Sequence, residues 1–379
     1  MKNIFVLLLT LCGIVGILIY PEVSCDSAEQ AIEMCLTVLV PTLFPFLVLS
    51  GIFIKCGFAE RLGRLLDRFT KKVFCVGGNC SSAMILGLVS GFPVGAKTVS
   101  SLYKNGACSK VEAERTLAFC NNAGPSFILG TVGVGIWQSG KTGWLLWAVQ
   151  IVSAVFVGII VGRIWKGTAD TVVFVNTKNN IQQKQSVLHI FLSSVTDGAV
   201  SMLYICSFVV FFAVAVSLLL HTGLIPSISA AICKLFPFFE RETVENLLVG
   251  IFEMTTGVSR VGNSAPVLQN LAVTSALIGW AGISVHCQVL SYICDGGLSP
   301  KPYFIGKILQ TAFATALIFI CSFLIPGYKA DILPSSEIPQ ISVYALVCGA
   351  VVAFSLTVLF LLFRSKKQTE KTVKFSRKP

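Results

Sequence analysis

Charged and metal-binding residues are scarce in this sequence. Only 12% of its 379 residues are charged, about half the share of a typical soluble protein, while 54% are hydrophobic. There are three histidines and no CxxC pair, which argues against a zinc or redox site. A P-loop, an HExxH motif and a Ser/His/Asp set are also missing, so we expect no enzymatic activity, no cofactor and no bound metal.

Long apolar runs take up much of the chain instead. With a mean hydropathy of +0.81, a chain of this size cannot bury its apolar surface in one water-soluble core, so a lipid bilayer must solvate it. Because a helix satisfies its own backbone hydrogen bonds, these runs predict an all-α polytopic membrane protein. Most of the fourteen cysteines lie inside the runs, where cysteine acts as a small hydrophobic residue. Eight runs are predicted to span the membrane: 3–20, 33–54, 116–137, 143–163, 188–220, 271–294, 304–326 and 341–363.

Charges in the loops predict the orientation of these spans, because basic residues collect on the cytoplasmic side. Loop 21–30 carries three acidic residues and no basic one, so it is placed outside, whereas loop 55–72 carries six basic residues and is placed inside. Two glycine-rich stretches, 77–103 and 245–268, are predicted to be re-entrant hairpins, because this keeps the basic residues that follow them, including Lys307, inside. Both termini are then cytoplasmic. Since the net charge of +11 lies in these loops and in the tail, we expect no nucleic-acid partner.

The order of segments repeats along the chain, and the second copy begins on the opposite side of the membrane. Each copy contains a long span, an amphipathic segment, a hairpin, a broken span and a plain span. We therefore predict two re-entrant or broken helical hairpins in an inverted repeat, with copies at 27–166 and 187–326. The remaining parts are a retained signal-anchor helix at 1–26, a cytoplasmic linker at 167–186, a C-terminal transmembrane helix at 327–363 and a basic cytoplasmic tail at 364–379. A cleaved signal peptide is the alternative for 1–26.

Glycine, proline and polar residues interrupt the apolar segments. Proline lacks a backbone donor and glycine allows sharp reversals, so such residues break helices. Discontinuous helices within inverted repeats are typical of secondary transporters, which bind substrate near the membrane midplane. The predicted breaks in the two hairpins and in the third span are Gly91, Pro93, Gly95, Gly124, Pro125, Gly257 and Gly262.

Two basic residues, Lys97 and Arg260, occupy corresponding places in the two hairpins and predict a site for a small anionic substrate. Glu253 is a candidate partner of Arg260 or a proton carrier, and a coupling ion is a further candidate partner. The alternatives are that Lys97 extends to the interface, that Arg260 and Glu253 form a structural ion pair, and that asparagines only complete broken helices. Polar residues predicted to orient the substrate are Asn121, Asn122, Ser90, Ser126, Asn263, Ser264 and Ser284.

Two motifs resemble those of a known family. The segments Ser90-Gly91-Phe92-Pro93-Val94-Gly95-Ala96-Lys97 and Cys120-Asn121-Asn122-Ala123-Gly124-Pro125-Ser126-Phe127 are similar to those of the YlbJ-type sporulation integral membrane proteins. These proteins carry two Gate domains related to nucleoside transporters, so the resemblance implies that both repeats are Gate-like. It covers nearly the whole chain, and the second half matches more loosely.

The resemblance also implies a function. It indicates a protein of spore-forming bacteria that lies in the outer forespore membrane and moves dipicolinic acid from the mother cell towards the spore. Dipicolinate, a small aromatic dianion, agrees with the anion site predicted from the residues. The alternatives are a carrier of nucleosides or other small metabolites, and a non-transporting membrane assembly factor of sporulation.

Overall fold

The computed structural model describes residues 2–165, 186–237, 239–261 and 267–324. Every regular element in these ranges is helical, which confirms the predicted all-α class for them. Three predicted segments lie wholly or largely outside the described residues: the linker 167–186, the C-terminal transmembrane helix 327–363, which includes the span 341–363, and the basic tail 364–379.

The first half of the chain contains eight α-helices and two π-helical segments among the described residues. In chain order they are α1 (Lys2–Ile19), α2 (Pro21–Met34), π1 (Cys35–Leu39), α3 (Val40–Lys55), α4 (Phe58–Phe74), α5 (Gly78–Ser90), α6 (Val94–Lys104), α7 (Lys110–Cys120), π2 (Ser126–Ile136) and α8 (Gly140–Ile164).

The second half repeats this order, beginning with a long helix that corresponds to the α2–π1–α3 helix of the first half. Its described helices are α9 (Val187–His221), α10 (Leu224–Leu235), α11 (Arg241–Phe252), α12 (Met254–Arg260), α13 (Val267–Trp280), α14 (Gly282–Asp295) and α15 (Lys301–Leu324). The amphipathic helices α4 and α10 both follow a left-handed glycine, Gly57 and Gly223. Thus a long helix, a short amphipathic helix, a helical hairpin, a broken helix and a second long helix occur in the same order twice.

Five helical stretches of the described residues are long and apolar enough to cross a membrane: Pro21–Phe53, Gly140–Ile164, Val187–His221, Leu268–Asp295 and Lys301–Ser322. A sixth arises if the pair Leu65–Phe74 and Gly78–Ser90, bent by 91°, is one span. The described residues therefore do not reach the predicted eight spans. Two of the predicted eight fall short because α1 and the broken segment α7–π2 offer only shorter apolar helices, and the span 341–363 lies outside the described ranges.

Large apolar side chains lie on the outside of these helices. On α9, Leu203 and Phe211 expose 70% and 67% of their surface, and Val200 is similarly open. Contiguous apolar surface of this kind is rare on soluble monomers, whereas a bilayer solvates it without cost. The exposed faces therefore agree with an integral membrane protein.

The predicted loop 21–30 is wrong, because these residues form most of helix α2. Pro21 stands at the first helical position and Glu22 in the first turn, both of which favour a helix start. α2 continues through π1 into α3 and packs along α9. The start of α2 lies beside the end of α9, where the rings of Tyr20 and His221 are 4.7 Å apart.

The corresponding long helices of the two halves run antiparallel. The end of α3 meets the start of α9 through an ion pair of 2.8 Å between Lys55 and Asp197. α8 and α15 are also antiparallel, because Glu114 joins the end of one to the start of the other. One oxygen of its carboxylate accepts a hydrogen bond from the indole of Trp165, and the other accepts one from the backbone N–H of Ser299.

Two large apolar clusters form the core. The first centres on α5, α6 and α7 and includes Phe74, Leu117 and Tyr303. The second lies between π1, π2, α9, α13 and the end of α15, and includes Leu39 and Leu277. Phe92, at the tip of the first hairpin, packs against both clusters and therefore lies between them.

Candidate functional site

Helices α5 and α6 form the first predicted hairpin. α5 ends at Ser90, and Gly91 reverses the chain with a φ of +76°, a conformation that glycine adopts without strain. At the opposite end of the hairpin, the side-chain amide of Asn79 donates to the carbonyl oxygen of Ala107 at 2.8 Å. Both ends of the hairpin therefore lie together, as a re-entrant path requires.

Glycines allow this hairpin to contact its neighbours through backbone alone. A Cβ atom on Gly87 would collide with the carbonyl oxygen of Cys120, and one on Gly95 would lie 2.6 Å from the same oxygen. α5 and α6 are thus held directly against the end of α7. The predicted break residue Gly95 has a packing role here.

Helices α11 and α12 form the second predicted hairpin, and the single residue Glu253 joins them. Its backbone is extended, and its buried carboxylate accepts hydrogen bonds from the backbone N–H groups of Thr255 and Thr256 at 3.1 and 2.5 Å. Such a cap satisfies donors that the helix start leaves without partners. α12 returns along α11, since the amide of Asn246 donates to the Arg260 carbonyl oxygen at 3.1 Å. Gly257 also contacts Gly250 directly.

The third predicted span is broken at the predicted place. α7 ends at Cys120, and π2 begins at Ser126, directly after Gly124 and Pro125. The amides of Asn121 and Asn122 donate to carbonyl oxygens of α7, at 3.2 and 2.8 Å. Both asparagines therefore complete the hydrogen bonding of a broken helix end, which was one of their two predicted roles.

A matching break divides α13 from α14. Ala281 and Gly282 both adopt positive φ angles, +81° and +80°. Each break lies against a hairpin tip: a Cβ on Gly91 would lie 2.6 Å from Gly124 N, and one on Gly282 would lie 2.9 Å from Met254 N. The tip of each hairpin therefore touches the broken helix of the same half, backbone against backbone.

A cavity of about 630 Å³, a volume that includes its open side, lies where these four features meet. Its walls come from both halves in corresponding pairs. Ser90-Gly91-Phe92 and Glu253-Met254-Thr255 line it at a constant separation of 163 residues, and Ser126-Phe127 and Ser284-Val285 line it at a separation of 158. The long helices complete the wall with Leu39, Leu43, Leu47, Ile205 and Val209.

The cavity wall is mostly apolar and carries a few polar groups. The hydroxyls of Ser90 and Ser284 are buried and have no hydrogen-bond partner among the described residues. π2 and α14 begin at the cavity, so their N-terminal ends direct positive partial charge towards it. A site of this kind suits a small ligand with an apolar body and polar or anionic edges.

Several predicted site residues lie elsewhere. Lys97 is exposed on α6, and Arg260 is exposed at the end of α12, where its Nε donates to Asn246 at 3.2 Å. Neither lines the cavity. Arg260 and Glu253 stand at opposite ends of α12, so the ion-pair alternative for them is wrong. Gly262, Asn263 and Ser264 lie outside the described residues.

Sequence reasoning missed a buried polar network beside the cavity. Lys307, predicted to lie near the cytoplasmic surface, is fully buried within α15. Its ammonium donates to Gln310 Oε1 at 2.9 Å, and Gln310 Nε2 donates to Asn122 Oδ1 at 2.7 Å and to Gln150 Oε1 at 3.2 Å. Gln150, Lys307 and Gln310 lie inside apolar runs that are predicted to be plain spans. These three polar residues were the signal that could have indicated the network.

Known proteins are similar to this chain both in a segment of its first half and over most of its length. Residues 36–122, from the first long helix to the helix break, match the Gate family, described as nucleoside recognition. The chain is 28% identical, over 318 residues, to the sporulation integral membrane protein YlbJ of Bacillus subtilis, a stretch that covers 79% of this chain and 78% of that protein. No solved structure matches the chain. The predicted resemblance is confirmed: this chain is similar to YlbJ over most of its length, and a segment of its first half matches the Gate family.

Proposed function

We propose that this chain is a secondary-type transporter of a small anionic metabolite and that the cavity is its substrate site. The observation that carries the proposal is the pairing of the cavity wall, to which both hairpin tips and both helix breaks contribute corresponding residues. Secondary transporters bind substrate in this way, at discontinuous helices between two repeats. Movement of one half against the other would then open the cavity to alternate sides.

The two halves form an inverted repeat in this proposal. Their corresponding long helices are antiparallel, as inversion demands. At a separation of 160 residues, Gln150 of α8 corresponds to Gln310 of α15, and the same separation pairs Lys141 with Lys301. The two glutamines are hydrogen-bonded to each other at 3.2 Å. Corresponding residues meet only next to the axis that relates the two halves, so this contact supports the inverted relation.

Dipicolinate is the proposed substrate. Its flat aromatic body fits an apolar wall, and its carboxylates fit the hydroxyls of Ser90 and Ser284 and the helix N-termini. The similarity to a sporulation membrane protein supports this choice. We therefore place the protein in the outer forespore membrane, with both termini in the cytoplasm of the mother cell, from which dipicolinate is moved towards the spore.

A nucleoside or another small metabolite is the second candidate substrate. The match of residues 36–122 to a nucleoside-recognition family favours it. A nucleoside also has a flat ring and hydroxyl groups that could bond to Ser90 and Ser284. It differs from dipicolinate in charge, so competition between the two ligands separates the candidates.

The test is uptake of labelled dipicolinate into liposomes that contain the purified protein, with uridine and adenosine as competitors. We expect saturable uptake that nucleosides do not inhibit. The double variant Ser90→Ala/Ser284→Ala should lose affinity about ten-fold or more, because two hydrogen bonds are removed. Ser259→Ala, an exposed serine of α12, is the matched control and should transport normally.

Other outcomes are equally decisive. Uptake of nucleosides but not dipicolinate would identify a nucleoside as the substrate instead. No uptake of either by a folded, inserted protein would contradict transport and favour an assembly role.

The orientation of the first hairpin has a separate test, in which single cysteines near Lys72 and Lys104 are labelled from one side of the membrane. Labelling from opposite sides would contradict the re-entrant first hairpin.

A further inference from the structure

Lys307 is a buried lysine that has no carboxylate partner among the described residues. It exposes 0% of its surface, and none of the ion pairs among the described residues involves it. Its ammonium makes one hydrogen bond there, to the neutral oxygen of Gln310, and lies 4.9 Å from the centroid of the Phe92 ring. A buried charge is costly unless it is paired, and these two contacts pair it incompletely. An anion would complete the pairing.

The position of this cation connects it to the cavity. Phe92 lines the cavity, and the Lys307 ammonium lies against the same ring. Asn122, which accepts a hydrogen bond from Gln310, directly precedes another lining residue, Ala123. The Phe92 ring therefore separates the ammonium from the cavity, and the described residues that line the cavity include no lysine or arginine.

The surrounding amides hold the cation in place. The side-chain NH₂ group of Gln310 is directed towards Asn122 and Gln150, which turns its oxygen to the ammonium. Gln150 is held in turn, since its own NH₂ group donates to the Ser275 carbonyl oxygen at 2.9 Å. Residues of α8, α13, α15 and the break after α7 thus fix the charge at the contact between the two halves. Such positioning of a charge is typical of a binding group.

We propose that Lys307 binds a carboxylate of the substrate and that the Phe92 side chain covers the ammonium until it moves aside. This inference deepens the proposed function and rests on it. It assigns to Lys307 the cationic role that sequence reasoning gave to Lys97 and Arg260. The ring at the hairpin tip separates the charge from the cavity, so a displacement of that tip would bring the two together.

The experiment compares two ligands of the same shape and different charge: dipicolinate and its neutral diamide, pyridine-2,6-dicarboxamide. Binding of both is measured on the purified full-length protein in detergent, together with its melting temperature. For Lys307→Gln we expect a loss of about 10- to 100-fold in dipicolinate affinity, the effect of removing a charge-assisted hydrogen bond, and little change for the diamide. Lys301→Gln, an exposed lysine on the same helix, should change neither affinity.

Each outcome decides the proposal. A folded Lys307→Gln variant that still prefers dipicolinate as strongly as the wild type would overturn it. If that variant does not fold, Phe92→Ala tests the same idea, because removal of the ring should raise the preference for dipicolinate over the diamide at least three-fold. An unchanged preference in Phe92→Ala would also overturn it. A wild-type protein that binds neither ligand would contradict the proposed function itself.

Discussion

The two hairpin tips perform the same task with different chemistry. The first tip has three residues between its helices and reverses at Gly91, whose positive φ and missing side chain let it touch Gly124. The second tip has the single residue Glu253, whose carboxylate caps α12 with two hydrogen bonds. The first tip therefore depends on the absence of a side chain, and the second on the presence of one.

This difference shows what the two halves share. Their backbones place a tip against a helix break in both cases, although Ser90-Gly91-Phe92 and Glu253-Met254-Thr255 have no residue in common. The backbone geometry of the two tips is therefore repeated more closely than their sequence. Substitutions at the two tips should consequently destabilise the protein for different reasons, and the following predictions test this.

The largest effect is expected for Gly91→Ala. An alanine would be held at φ +76° and ψ −166°, a region that essentially only glycine populates, which costs roughly 1–3 kcal/mol. Its Cβ would also lie 2.6 Å from Gly124 N, which adds an overpacking cost of roughly 1–3 kcal/mol. We expect the melting temperature in detergent to fall by several degrees and transport to be lost. Gly223→Ala is the control for a positive φ alone, because Gly223 has φ +78° and ψ 4° and open space around it. Equal effects of the two variants would show that contact with Gly124 is unimportant.

An intermediate effect is expected for Glu253→Ala, which removes the cap of α12. Loss of a helix cap costs roughly 0.5–2 kcal/mol, and Glu253→Gln should cost less because its amide oxygen can still accept one bond. Thermal unfolding measures both, with the exposed Glu242→Ala as control. If Glu253→Gln instead abolishes transport at unchanged stability, Glu253 acts as a proton carrier and the capping account of the second tip is incomplete.

The smallest effect is expected for Lys97→Gln and Arg260→Gln. Both residues are exposed and lie away from the cavity, so we expect dipicolinate affinity to stay within about two-fold and stability within roughly 0.5 kcal/mol. Binding measured beside Lys307→Gln checks this. A ten-fold loss in either variant would restore the anion site predicted from the sequence.

The breaks could be predicted because their cause is local. Gly91 and Pro93 interrupt an apolar segment, and the run from Asn121 to Pro125 has two asparagines, a glycine and a proline in place of apolar residues that would continue a span. Both places are breaks in the structure. The lining role of Ser90 and Ser284 followed from the same reasoning, since polar residues next to a break tend to lie at the site that the break creates.

Long-range packing could not be predicted in this way. α2 has few apolar residues and looks like a loop, yet it is a helix because it continues into α3 and packs on α9. Lys307 stands near the start of an apolar run, where a lysine usually marks a loop. Its burial depends on Gln310 and, through it, on Asn122, which is 188 residues from Gln310. A single sequence contains no signal for such a contact.

The contact between Gln150 and Gln310 has a consequence for how the two halves can vary. In the proposed inverted repeat, each of these residues faces its own counterpart. A primary amide both donates and accepts hydrogen bonds, so glutamine is complementary to another glutamine, whereas two lysines or two glutamates at the same places would repel each other. A lysine at position 150 would also face Lys307 across Gln310. The side chains at positions 150 and 310 therefore depend on each other. A substitution in either half changes the hydrogen-bond partner, and so the packing, of the same position in the other half.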